Sequence, residues 1–381
     1  VAVLSILSFM VWLVLVFGRR GFWRAERRSG AFRPPALWPS VAAIVPARNE
    51  AETIQSCLAS ILAQDYDGPL RAVLIDDQSN DGTADRARAL GDSRLSILSG
   101  QPLPPGWTGK MWAVAQGVAH AGADRPAYFW FTDADIAHQP SVLARLVAQA
   151  EAESRVLVSR LARLHCQSGW EKLLIPAFIF FFQKLYPFDA VNDSKSRVAA
   201  AAGGCMLVKA DALTQAGGIE TIRDSVIDDC ALARRMKAVG PIHLALGEQT
   251  HSLRAYPQLT DLWLMVARTA FVQLRHSLLL LVGTLLGMGI VYLVPPLAVL
   301  LGILGGDPTA LTFGGAAWIL MSVAYRPSVA LYRLAFPWVL TLPLAGLLYA
   351  LMTLDSARRH WLGKGAPWKG RTHAAQGGAT P

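Results

Sequence analysis

Charge is scarce in this chain of 381 residues: Asp, Glu, Lys and Arg make up 17%, against 53% apolar residues. An ordinary cytosolic domain carries about a quarter charged residues, and the mean hydropathy of +0.33 also lies on the apolar side. Acidic residues are the scarcer kind, 27 against 36 basic, leaving a net charge of +9. Cysteine is sparse too. Cys57, Cys166, Cys205 and Cys230 stand apart, with no Cys-x-x-Cys pair and no metal-type spacing, which fits a reduced cytoplasmic compartment where buried Cys acts as a small hydrophobe. No small-residue cleavage site follows the first apolar run, where the chain reads GRRGFWRAERR; a retained anchor is therefore expected rather than a signal peptide.

The apolar excess sits at the two ends. Residues 1–17 (VAVLSILSFMVWLVLVF) are uncharged and just long enough to span a bilayer. Residues 277–306 and 335–354 are uncharged as well. The former would make about 40 Å of helix, bent at Pro295-Pro296. A weaker segment, 309–325, is rich in Gly and Ala. Arg19, Arg20, Arg24, Arg27, Arg28 and Arg33 follow the first run, opposed only by Glu26; Arg358, Arg359, Lys364, Lys369 and Arg371 follow the last. Basic clusters beside apolar spans obey the positive-inside rule and hold anionic head groups, so the net charge points to a bilayer surface and not to nucleic acid. The expected division is an anchor over 1–18, a basic linker over 19–39, a soluble domain over 40–255, an interfacial amphipathic segment over 256–276, a transmembrane region over 277–355 and a basic tail over 356–381. Three C-terminal crossings would leave that tail on the wrong side, so one segment is expected to be re-entrant or interfacial.

Within the soluble domain, strand and helix patterns alternate. VAAIVPA (41–47) reads as a buried strand, followed by a helix over about 50–63; RAVLIDD (71–77) and RLSILSG are further strands; MWAVAQGVAHA is helical; AYFWFTDAD (127–135) is a strand ending in acid. This rhythm predicts an α/β fold with a mostly parallel, doubly wound sheet, whose ligands bind beyond the carboxyl ends of the strands. Acidic residues collect there: Glu50 after Arg48 and Asn49, then Asp76-Asp77, then Asp133-Ala134-Asp135. Each alone is ordinary N-cap or turn chemistry. Together, like charges on one sheet edge are costly unless something positive is bound. Mg²⁺ or Mn²⁺ carrying a diphosphate suits them, since these ions take one or two carboxylates plus phosphate oxygens. An extended Asp-x-Asp would put both carboxylates on one side. Lys110, at the start of a helix in GWTGKMW, is placed for a phosphate, although the stretch is not a Walker motif. Gly203-Gly204 precede the strand-like CMLVKA and would allow close acceptor approach or form a plain turn. His251 is an outlying candidate metal ligand, more simply a structural histidine. The apolar LLIPAFIFFFQKLYPF (173–188) is either buried core or a surface dipping into the bilayer interface, with Lys184 and Tyr186 at head-group level.

VPARNE, DDQSNDGT, FTDAD and IDDCALARRMK, in this order, resemble the motifs of the family 2 glycosyltransferases over about residues 40–250. Within that family, PARNEAETI, LPPGWTGKMWA, IDDCALARR and the terminal WKGR resemble the hopene-associated glycosyltransferases of bacterial hopanoid pathways. The resemblance implies a GT-A domain and an inverting, single-displacement transfer of a sugar from a nucleotide-diphosphate donor, UDP by expectation, to a membrane lipid such as a hopanoid. It implies that Ala47, Arg48 and Glu50 line the base and ribose, that Asp76 and Asp77 hold the base, and that Asp133 and Asp135 bind Mg²⁺ or Mn²⁺. Asp228-Asp229 stands where the family has Glu-Asp, making Asp229 the general base; a pair of helix-capping acids is the plainer alternative. The Gln-x-x-Arg-Trp motif of processive members is altered to VARTAFVQLRHS, which disfavours polymer synthesis and leaves Arg268 as a diphosphate ligand or an interfacial arginine. The expected location is the bacterial inner membrane, multi-pass, with the catalytic domain facing the cytoplasm. A polyprenyl-phosphate glycosyltransferase, a polysaccharide synthase and an inactive GT-A scaffold are the alternatives.

Overall fold

The computed structural model describes residues 1–24 and 32–363. Arg27, Arg28, Lys364, Lys369, Arg371 and the WKGR stretch lie outside the described residues. The N-terminal apolar run forms helix α1 (Ala2–Leu13), continued by a π-helical turn over Val14–Gly18. The soluble domain follows as β1 (Val41–Ala47), α2 (Ile54–Leu62), β2 (Leu70–Asp76), β3 (Leu95–Ser99), α3 (Gly109–Gly122), β4 (Tyr128–Phe131), β5 (Ile136–His138), α4 (Val142–Ala152), β6 (Leu157–Arg163), α5 (Gly169–Leu185), β7 (Met206–Lys209), α6 (Asp228–Val239) and β8 (Ile242–Ser252). After it come α7 (Leu259–Ala267), α8 (Leu278–Met288), α9 (Val294–Gly305), α10 (Pro308–Leu331) and α11 (Leu342–Trp361).

The eight strands form one sheet in the order β3-β2-β1-β4-β7-β6-β8-β5. The first four are parallel. The rest corrects the mostly parallel expectation: β7 runs antiparallel to β4 and β6, and β5 antiparallel to β8, so the sheet is mixed. Connectivity explains this. Strand β6 leaves the sheet at the same edge as β4, the excursion through α5 stays there, and β7 must start from that edge and run back. Strand β1 is buried at all seven positions, as a central strand covered on both faces must be. Ala42 and Ile44 face one core with α3, α5 and α6, while Val41, Ala43, Val45 and Ala47 face another with α2 and α4.

Among the described residues, two helices are long and apolar enough to cross a membrane, Leu278–Gly305 and Phe336–Trp361. The first is α8 and α9 joined by a π-helical stretch, Gly289–Leu293. Pro295 cannot donate to the carbonyl of Val291; that oxygen accepts from Trp12 Nε1 instead, at 2.8 Å. The sequence defect in one helix is thus closed by a side chain from α1. Helix α11 lies against the soluble domain along much of its length. Tyr349 donates to the Leu174 carbonyl (3.0 Å), Trp263 donates to Asp355 (2.9 Å), and Ser356 donates to the Ala267 carbonyl while accepting from Phe271 N–H.

The apolar 173–188 segment is largely α5, opened by a Ser168/Glu171 capping box. It does not offer its aromatic run to a bilayer. Phe180 is fully buried against Phe22 and Tyr325, with ring centroids 5.3 and 5.6 Å apart, and Phe181 packs edge-on to Tyr349 and Tyr292. Lys184 donates to the Tyr292 hydroxyl and Tyr186 accepts from Gln273. Only Trp170 and Leu185 of this helix are exposed large hydrophobics. The segment is the joint between the domain and the apolar helices. Phe180→Ala should therefore cost about 3–5 kcal/mol of stability, the range for a buried Phe truncation. Thermal or denaturant unfolding in detergent measures it; a loss below about 1 kcal/mol would contradict this packing.

Candidate active site

The carboxyl edge of the sheet is assembled from the tips of β1, β2, β4 and β8 and the start of α6. Beyond β1, Asn49 takes a left-handed conformation (φ +51), which Asn tolerates better than most residues. The turn is then stitched to the β2 tip: the N–H groups of Asn49, Glu50 and Ala51 donate to Ser79 Oγ, Thr83 Oγ1 and Asp81 Oδ2, each at 2.9 Å. Asp76 accepts from Ser79 N–H and shapes this turn. Asp77 is fully buried; its N–H donates to the Ala47 carbonyl, and its carboxylate lies 3.6 Å from Arg48, which also donates to the Asp77 carbonyl. Arg48 and Asp77 are thus held together at the tips of β1 and β2.

The Asp133-Ala134-Asp135 stretch is not extended, which corrects the expectation of a strand over 127–135. Strand β4 stops at Phe131, and Ile136 N–H donates to the Asp133 carbonyl at 3.2 Å, closing a turn. The two carboxylates therefore diverge. Asp135 accepts from Arg254 Nε at 2.7 Å, and Arg254 also holds both oxygens of Glu50 at 2.8 Å. Asp133 instead meets Lys110 Nζ at 2.8 Å, and the same ammonium lies 3.1 Å from Asp228. Burial opposes the charge on Lys110, but Asp133 and Asp228 hold it protonated well above the ordinary lysine range. Lys110 reaches this point from the start of α3, which Thr108 caps, accepting from Met111 N–H; Gly203 lies against the same group, an added Cβ there falling in ordinary contact 3.4 Å from Lys110 Nζ.

Asp229 lies beside this bridge. Its carboxylate accepts from Gly203 N–H (3.1 Å) and from Cys230 N–H (2.6 Å). Burial, and then the charge of Asp228, push its pKa up to about 6, with Lys110 and the two N–H donors opposing. Tyr256 connects the two halves of the rim: burial, and then the nearby Asp135, push its phenol up to about 12, and Asp133 also acts on it. A small cleft is lined by Lys110, Asp133, Gly203 and Asp228; Asp229 lies beside it, and Glu50 and Asp135 gather on Arg254. Arg268 is exposed at the end of α7, near enough to Tyr256 to act on its phenol. His251 pairs with Ala137 in the sheet, away from the bridge. Arg254 and Tyr256 were missed in the sequence; their one signal is that HSLRAY leaves β8 at the carboxyl edge.

The donor set suits a hard divalent ion in part. Asp133 and Asp228 converge on a single cationic point, as required for Mg²⁺ or Mn²⁺ held by one or two carboxylates and completed by phosphate oxygens. Asp135 is paired with Arg254. No cage of three or more His, Cys, Asp or Glu side chains occurs among the described residues.

Residues 42–216 match the model of glycosyl transferase family 2. The match takes in Arg48, Asp77, Lys110 and Asp133 and ends before Asp228. The chain is 35% identical over 122 residues, 32% of its length, to the 4,4'-diaponeurosporenoate glycosyltransferase of Staphylococcus aureus (strain USA300). That alignment spans 29% of the relative, well under half of it. A mannosyltransferase of Pyrobaculum calidifontis, solved in complex with GDP-Man and Mn²⁺, superposes over 92% of this chain and 99% of its own with a TM-score of 0.50 and 18% identity. The fold is therefore shared beyond the stretch matched to family 2.

If Asp229 acts as a base, turnover should rise with pH through a single ionisation near 6 as the carboxyl loses its proton. Lys110→Met removes a cation that favours the carboxylate, so the ionisation should move upward. A pH–rate profile reads both; an unmoved midpoint in Lys110→Met would contradict the assignment.

Proposed function

We propose that this chain is an inverting glycosyltransferase that moves one sugar from a UDP-linked donor to the hydroxyl of a membrane lipid, a hopanoid being the first acceptor to test. One observation carries the reading: Asp133, Asp228 and Asp229 gather about Lys110 at the sheet edge where such folds bind nucleotides. The family 2 match and the Staphylococcus aureus relative, named for a glycosyl transfer, support it.

The chemistry follows from the placement of the side chains. The acceptor oxygen bonds to the anomeric carbon as the bond from that carbon to the diphosphate oxygen breaks, its electron pair leaving with the nucleoside diphosphate. Asp229 takes the hydroxyl proton; a carboxylate with a pKa near 6 is ionised at neutral pH and still basic enough to serve. Lys110 lies where the departing diphosphate would gather charge, and Asp133 with Asp228 would hold Mg²⁺ or Mn²⁺. Such an ion supplies Lewis-acid neutralisation of the leaving group. Arg48, set by Asp77, faces the nucleoside side of the cleft.

A lipid acceptor is favoured by the broad apolar surface on the helices. Leu279, Leu304, Phe17 and Phe336 are 81%, 75%, 75% and 66% exposed, far beyond what a soluble monomer leaves uncovered. In this reading α1, α9 and α10 enter the bilayer, while α11, tied to the domain from Tyr349 to Ser356, is the interfacial segment. The tail after Arg358 and Arg359 then stays on the cytoplasmic side with the domain, as the positive-inside rule asks. The location is the bacterial inner membrane.

Calorimetry with UDP and Mn²⁺, paired with a radiolabelled UDP-sugar and extracted lipids, tests the proposal. Asp229→Asn should keep UDP binding and lose transfer by about 10²–10⁴-fold, the worth of a general base. Asp133→Asn should lose the Mn²⁺-dependent part of UDP binding. Absent UDP binding would leave a scaffold; undiminished transfer in Asp229→Asn would overturn the mechanism.

A further inference from the structure

A second cavity, of about 380 Å³, lies where the last turn of α10 meets the edge formed by β6 and β8. Its size falls in the range of small-molecule sites. Arg163, Arg333 and Tyr332 line it together with the apolar Leu161, Ile179 and Leu246, and Gln139, Glu248 and Gln249 form the more polar wall. None of the carboxylates of the catalytic cleft borders it.

The two arginines are held there by local features. Arg163 ends β6 at a register irregularity between Ala162 and Arg163, and such bulges re-aim side chains. Its guanidinium lies over the Tyr332 ring, 5.5 Å from the centroid. Arg333 follows α10 in the left-handed conformation, φ +55. Leu334 N–H donates to the Val329 carbonyl and Arg333 N–H to that of Ala330, the Schellman pattern in which glycine is the favoured residue at this point. An arginine is strained there. A cation at a helix C-terminus offsets the dipole, but that role needs no cavity and no second arginine. Neither Arg163 nor Arg333 forms an ion pair among the described residues. Tyr332 is buried, its hydroxyl turned inward near the Leu164 backbone, so that it serves the cavity with its ring, the face on which Arg163 lies.

Phe336 follows Arg333 by three residues, and Ile319 and Val323 lie further up α10; all three are exposed large hydrophobics. We infer that this cavity binds the head group of a membrane phospholipid, its phosphate between Arg163 and Arg333, its acyl chains along α10. The polar wall of Gln139, Gln249 and Glu248 faces the far end of the head group, suiting an ammonium or hydroxyl terminus such as that of phosphatidylethanolamine. The inference is independent of sugar transfer and rests only on the apolar belt meeting lipid.

Native mass spectrometry of the full chain in detergent, titrated with phosphatidylethanolamine, tests it. Arg163→Gln/Arg333→Gln should retain at least fivefold less lipid than the native chain. Tyr332→Phe, which keeps the ring under Arg163, should retain as much as the native chain. Arg326→Gln, an exposed arginine on the same helix outside the cavity, should bind like the native chain. Glycerol 3-phosphate in excess should not displace the lipid. Equal retention by the double variant and the native chain would overturn the proposal, as would an equal loss in Arg326→Gln. Displacement by glycerol 3-phosphate would overturn it in favour of a soluble phosphate ester. Should the double variant unfold, Arg163→Lys/Arg333→Lys keeps the charge but not the planar fork, and undiminished retention there would equally overturn it.

Discussion

One ammonium group keeps the acidic edge of the sheet together. Lys110 Nζ stands between Asp133 and Asp228 at 2.8 and 3.1 Å, and without it two carboxylates, with a third at Asp229, would face each other across a partly buried cleft. Like charges so placed cannot all ionise. Arg254 does the same for Glu50 and Asp135 on the other side. The cleft is neutralised from within, and its acids are kept close enough to receive a diphosphate and its cation. The raised pKa of Asp229 follows from the same arrangement: its nearest like charge is Asp228, and its nearest compensation is the lysine that Asp133 shares.

The position of this edge relative to the apolar helices depends on α5. Its aromatic face packs on α10 and α11 through Phe180 and Phe181. Glu171, at its start, is a second tie: burial alone would raise its pKa, but the N–H groups of Ser168, Tyr256 and Gln167, with His165, bring it to about 2. Because Tyr256 belongs to the rim of the cleft, this single carboxylate links the domain–bundle joint to the catalytic edge. Tyr186, at the far end of α5, meets Gln273 and lies near Asp229 and Cys230. The same helix therefore comes near the cleft at both ends while its middle faces the apolar helices.

Much of this was legible in the sequence and some could not be. The first strands read directly from their apolar runs, and a parallel sheet sends their carboxyl ends to one edge, which places Glu50, Asp77 and Asp133 on it. What escaped are pairings between distant residues. Arg254 is 204 residues from Glu50 and 119 from Asp135, and no local pattern marks it as their partner. Lys110 was read as a phosphate ligand from its place at a helix start; its carboxylate partners became visible only once β4 and α6 were side by side. The antiparallel β7 depended on where the excursion after β6 returned, which periodicity does not encode. Asp133 and Asp135 were misjudged as a parallel pair because Ala134 sits in a turn, where the two-residue alternation of a strand no longer applies. The aromatic run of α5 has the same composition whether it meets lipid or protein, so only its neighbours could decide.

The Lys110 bridge is most directly tested by a double-mutant cycle on unfolding free energy, using Lys110→Met, Asp133→Asn and the pair. If the ammonium binds the two sides of the cleft together, the double variant should be less destabilised than the sum of the single ones, with a coupling of about 1–3 kcal/mol. Additivity within about 0.5 kcal/mol would mean that the carboxylates do not depend on Lys110, and the account of the cleft would fail.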